Sequence, residues 1–167
     1  YEIASCLVGS EMCIRDRLDY GNGALAAATI KTAYNKMNLS FMKAFTSGIM
    51  CNILVCLAVL LAGVCQDAIG KIFACFFPIW AFVIAGYEHC VANMYYIPAG
   101  LLAKHGEAYY NAAIMAGMTP DQLDSMTVGK FFLNNLLPVT LGNIVGGVVF
   151  VALPLYLIYR NKNKAEA

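Results

Sequence analysis

The hydrophobic positions of this chain fall in long unbroken runs rather than in an alternating face-and-back pattern. Ala44 to Gln66 is 23 residues without a charge, and Phe131 to Tyr159 is 29. Between them lie Ile72 to Tyr87, with 16, and Cys90 to Ala103, with 14, separated only by Glu88 and His89. A helix needs about 20 apolar residues to cross a hydrocarbon core of roughly 30 Å. The first and last runs reach that length alone; the middle two reach it only if joined. The pattern predicts three membrane spans, at about 41–64, 72–103 and 131–159. The middle one, as a single helix, would be about 48 Å long and would overshoot the bilayer. Its centre holds Gly86, Glu88, His89 and Asn93. A helix broken near 86–93 resolves both facts: one half before Gly86, a non-helical stretch at Glu88–His89, and a second half ending beyond Pro98. Irregular backbone at membrane depth is tolerated only where protein or a water-lined cavity surrounds it. The break therefore implies a pore or a binding site.

The connecting segments are short. Ala24 to Met37 reads as a helix approaching the membrane, with Asn38 and Ser40 as caps before the first span. Gln66, Asp67 and Gly70 read as a turn closed by Lys71. Lys104 to Lys130 is polar by comparison and reads as an extramembrane loop, with a helix start at Thr119-Pro120. In the last span Gly142 and Gly146 make a G-x-x-x-G followed by Gly147, which lets helices pack closely. The basic tail Arg160, Lys162 and Lys164 predicts a cytoplasmic C-terminus. Lys31, Lys36 and Lys43 would then face outside, against the same charge rule.

Composition agrees with this reading. Of 167 residues 60% are hydrophobic and 13% charged, against about 25% charged in soluble domains. The net charge of +1 carries no basic run of the kind that binds nucleic acid. Of seven cysteines, Cys51, Cys56, Cys65, Cys75 and Cys90 fall in or beside apolar runs, without C-x-x-C or metal spacing. They read as small hydrophobes, and no metal or cofactor is expected. Ile3 to Val8 is too short for a signal-peptide core. Residues 1–17 fit no part of this scheme, and their SEMCIRDR stretch resembles translated sequencing-adapter sequence. They are expected to be non-native, with 18–167 as the native segment.

The candidate chemistry is at the break. Ionisable groups at that depth are costly and usually face a cavity. The second half-helix begins just after His89, so its N–H groups and partial positive charge would meet the imidazole there and form a small anion site. Glu88 reads as a structural partner that points away from an anion path. Asn52 either lines the same path or bonds the broken segment. Lys36 either draws anions to an opening or snorkels as an ordinary boundary lysine. Phe82, two helical turns before His89, either narrows the path or packs as core.

GIMCNILVCLAVLLA, FFPIWAFVIAGYEHCVANMYYIPAGLL and NNLLPVTLGNIVGGVVFV resemble the C-terminal half of the formate/nitrite transporter family over roughly residues 30–160. The resemblance implies an all-α integral membrane protein with an aquaporin-like inverted-repeat channel fold, of which this chain is the second three-span repeat. It implies a homopentamer in the inner (plasma) membrane bilayer, each protomer with its own pore. His89 would be the central pore histidine and possible proton donor, Asn52 and Lys36 the pore-side asparagine and vestibule lysine, and Phe82 an aromatic of the outer constriction. Glu88, Asn93 and Gly86 would support the broken helix. The cargo implied is a small monovalent anion: formate first, nitrite or hydrosulfide next. The first repeat and the threonine that faces the histidine are missing from this sequence. Alternatives are a neutral-solute pore of aquaporin type and a structural membrane subunit. An intramembrane enzyme using Cys90 or His89 is not expected, because no nucleophile and base are paired.

Overall fold

The computed structural model describes residues 23–165, with side chains as far as Arg160. Residues 1–17, expected to be non-native, lie outside that range. Among the described residues every regular element is helical. Helix α1 spans Ala24–Met37, α2 Phe41–Val64, α3 Ala68–Ile84 and α4 Cys90–Ala103. Helices α5, Glu107–Met115, and α6, Pro120–Asp124, follow. The last helix, α7, runs Val128–Arg160 and includes two π-helical segments, Phe131–Leu136 and Val148–Ala152. α2 and α7 are each long and apolar enough to cross a membrane. α3 and α4, with 17 and 14 residues, extend about 25 and 21 Å, and neither spans the core alone. The middle span is thus a broken helix.

The chain divides into two compact units. Among the described residues, one comprises 23–39 and 93–135, the other 40–92 and 136–165. One boundary falls between α1 and α2, the others inside α4 and α7.

In the first unit α1 buries Ala26, Ala27, Ile30, Ala33 and Met37, a spacing that puts them on one helical face. That face meets α5 and the Gly100 position of α4, where a Cβ would collide with the Ala33 side chain. Asn38 closes α1 instead of opening α2: its Nδ2 donates to the Tyr34 carbonyl at 2.8 Å. The 104–130 segment has more structure than a loop with helical turns. It buries Ala113, Met118, Leu123 and Met126. Thr119 and Gln122 form a reciprocal capping box at the start of α6. Lys104 Nζ donates to the carbonyls of Leu123 and Met126, at 3.2 and 2.6 Å, and fastens the end of that helix.

In the second unit α2 packs against both α3 and α7. Ser40 caps α2, its Oγ accepting from the Lys43 N–H at 3.4 Å. The turn expected over 66–71 is shorter than the polar residues suggest. Asp67 is an N-cap whose Oδ1 accepts from the Gly70 N–H at 2.7 Å, so Gly70 and Lys71 already lie in α3. Close packing of α2 on α7 depends on absent side chains. A Cβ at Gly142 would strike the Phe45 carbonyl, and one at Gly146 the Ile49 carbonyl. One at Gly147 would stand 2.6 Å from Asn52 Nδ2.

Candidate functional site

The break between α3 and α4 is built from local rules first. α3 ends with the Gly86 N–H bonded to the Val83 carbonyl at 3.1 Å and the Tyr87 N–H to the Phe82 carbonyl at 3.1 Å. This is a Schellman closure, and it requires a left-handed residue at its hinge. Gly86 supplies it with φ +67; an L side chain there would be strained. Residues 87–89 then run without helical bonding until Cys90.

Non-helical backbone must find partners elsewhere, because buried N–H and C=O groups left unpaired are costly. Here the partners come from α2 and α7. Ser47 Oγ accepts from the Glu88 N–H at 3.0 Å. Asn143 Nδ2 donates to the Glu88 carbonyl at 3.2 Å and to the Gly48 carbonyl at 2.8 Å. Asn143 Oδ1 accepts from the Cys90 N–H at 3.0 Å. One amide therefore holds the backbone on both sides of His89. Asn52 Nδ2 in turn donates to the Asn143 carbonyl at 2.5 Å. Its bond supports the fastening residue rather than the broken segment directly. Asn143 and Glu88 are each 5% exposed.

His89 is half-buried and plays two roles in the geometry. Its Nδ1 accepts from the Ala92 N–H at 3.4 Å, which is the N-cap pattern for α4. That bond assigns the neutral ring's proton to Nε2, the nitrogen left to act as donor. The Phe82 ring lies alongside, its centroid 6.1 Å from that of the imidazole and its plane tilted by 28°. The start of α4 offers fewer free donors than a bare helix end. Of the four N–H groups without helical partners, those of Cys90 and Ala92 are taken by Asn143 and by His89 itself. The partial positive charge of the terminus sits on its unbonded N–H groups, so these two bonds leave less of it for an anion.

The expected site residues are divided between the two units. His89, Phe82, Asn52, Glu88 and Gly86 belong to the second unit, and Lys36 and Asn93 to the first. Lys36 sits in the last turn of α1. Its carbonyl accepts from Asn135 Nδ2 at 2.9 Å, and Asn135 Oδ1 accepts from Asn93 Nδ2 at 2.7 Å. Both asparagines are fully buried. Sequence reasoning left out Asn143, Asn135 and Ser47 as site residues. The available signal was an asparagine inside an apolar run, a residue type that seldom sits there without a bonding task. Among the described residues no cluster of three His, Cys, Asp or Glu side chains has metal-binding geometry.

A family model described as "Formate/nitrite transporter" matches residues 3–157. A "Probable formate transporter" of Methanothermobacter thermautotrophicus is 45% identical over 122 residues, covering 73% of this chain and 37% of that protein. The "Formate channel FocA" of Escherichia coli is 35% identical over 144 residues, covering 85% of this chain and 50% of that protein. A solved structure titled "Pentameric formate channel with formate bound" superposes with a TM-score of 0.80 at 35% identity. It covers 93% of this chain and 60% of that one. The chain spans about half the length of the curated relatives it matches.

Proposed function

The chain belongs to the formate/nitrite transporter family, and from that premise we propose that it lines a membrane pore for small monovalent anions, formate first, nitrite or hydrosulfide next. The supporting observation is His89 at the helix break, capped to α4 through Nδ1 and left with Nε2–H as a donor. An anion entering beside Phe82 sheds water against an apolar ring. Losing water disfavours the charged form of the cargo and raises its pKa. A proton that His89 first takes from the aqueous side, becoming an imidazolium, and then hands to the anion leaves the neutral ring behind and lets the neutral acid pass the tightest part. Glu88 stays buried, with its backbone fixed by Ser47 and Asn143, which keeps a carboxylate out of the anion's way. The assembly proposed is a homopentamer in the lipid bilayer, each protomer with its own pore, with the two three-span repeats of an aquaporin-like channel.

The test is formate uptake into proteoliposomes across a pH gradient. His89→Phe is expected to abolish the pH-dependent part of uptake. Unchanged pH-dependent uptake in that variant would remove the proton relay. Fast pH-insensitive passage of a neutral solute such as urea would point instead to a neutral-solute pore.

A further inference from the structure

We propose that Ser47 is a positioning residue that sets the gap between Phe82 and His89, and thereby how well the protein tells formate from a larger carboxylate. This rests on the reading that the anion passes beside these two rings. The chain from one ring to the other is held one peptide unit at a time. The Tyr87 N–H is bonded to the carbonyl of Phe82 itself at 3.1 Å. The next N–H, that of Glu88, donates to Ser47 Oγ on α2 at 3.0 Å. The Glu88 carbonyl and the Cys90 N–H, on the two sides of His89, are both bonded by Asn143 on α7, at 3.2 and 3.0 Å. Ser47 therefore holds the peptide unit that joins the end fastened to Phe82 to the end fastened around His89.

Losing Ser47 differs from losing Asn143. Without Asn143 the backbone on both sides of His89 is released. Without the Ser47 hydroxyl those peptide units keep their amide, and the imidazole keeps its Nδ1 bond to the Ala92 N–H. What loosens is the join to α3, and with it the spacing to Phe82, whose ring centroid lies 6.1 Å from that of the imidazole. That spacing bears on selectivity because competing cargoes differ by little. Formate and acetate differ by one carbon, and a fitted apolar wall turns such a difference into a factor of about 10–200. A wall that can shift yields less. A half-buried serine hydroxyl on an apolar helix is also costly unless bonded, and here the bond goes to the break.

The experiment compares initial rates of formate and acetate uptake in the same proteoliposomes. Ser47→Ala is expected to lower the formate-to-acetate ratio about two- to tenfold, the factor one hydrogen bond is worth. The pH-dependent part of formate uptake is expected to persist, because His89 keeps its own bonds. Ser47→Thr keeps the hydroxyl and is expected to stay nearer the parent ratio. In a Phe82→Ala background, where the ratio is already lowered, Ser47→Ala is expected to add nothing further. If Ser47→Ala yields too little protein, Ser47→Cys replaces it, since a thiol is a weak acceptor. A merely structural role would slow both cargoes together. An unchanged ratio in Ser47→Ala, beside a lowered ratio in Phe82→Ala, would overturn the inference alone. So would an equal fall from Ser47→Ala with and without the Phe82 ring. An unchanged ratio in Phe82→Ala would overturn both the inference and the reading of Phe82 beneath it.

Discussion

Asn143 touches three separate pieces of backbone with one side-chain amide: Gly48 on α2, and Glu88 and Cys90 on the two sides of His89. Asn143→Ala would leave the Glu88 carbonyl and the Cys90 N–H without this partner in a buried site, while the Gly48 carbonyl, inside α2, keeps its helical bond. Each such group costs about 1–3 kcal/mol. With partial relaxation, a loss of about 2–4 kcal/mol is expected, read as a lowered unfolding midpoint in detergent. Asn143→Asp is the sharper probe. It keeps the acceptor for Cys90 but sets a carboxylate oxygen against two carbonyls, and it should destabilise at least as much. The sequence offered both His89 and Asn143 as polar side chains deep in apolar runs, but not the groups that Asn143 bonds. The partners of Asn143 are 95, 55 and 53 residues away in the chain. No local pattern encodes pairings at that separation.

At the scale of elements, the break in the middle span could be read from length alone, since 32 apolar residues cannot cross a bilayer as one straight helix. Its closure was also local, because Gly86 has the one side chain compatible with a left-handed hinge. The π-helical segments of α7 were not foreseen, although the cause is written in the chain. Pro138 and Pro154 have no N–H for the carbonyls of Asn134 and Phe150, four residues earlier. A carbonyl deprived in this way can turn to the next donor along, an i to i+5 bond, and both carbonyls lie in π-helical segments. The misread turn at 66–71 has the opposite origin: Asp67 looks like loop and acts as a cap. The glycines give a test with opposite signs. Gly142→Ala forces a Cβ onto the Phe45 carbonyl and should cost about 1–3 kcal/mol or more. Gly63→Ala, also within a helix, meets nothing within 4 Å and should stabilise by up to about 1 kcal/mol. Thermal unfolding of the two variants side by side decides it.

For the molecule as a whole, most of the large apolar side chains outside the two cores point outward. Val59, Ile69, Phe73, Trp80, Leu133 and Ile158 are all exposed. In water this would be an aggregation surface; against lipid it costs nothing. The chain should remain in the membrane pellet after an alkaline carbonate wash and leave it only with detergent. Recovery in the carbonate supernatant would contradict that. The apolar runs were readable from composition because bilayer thickness imposes them. The division into two compact units was not, since it cuts through α4 and α7 where no composition changes. The fastening of the break by Asn143 also has a consequence in time. During synthesis the Cys90 N–H emerges 53 residues before the side chain that will accept from it. At about 5–20 residues per second, that is a wait of roughly 3–10 s. Until α7 is made, the half-helices on either side of His89 lack their common clasp. The turn at the break is thus finished only by a segment made well after it.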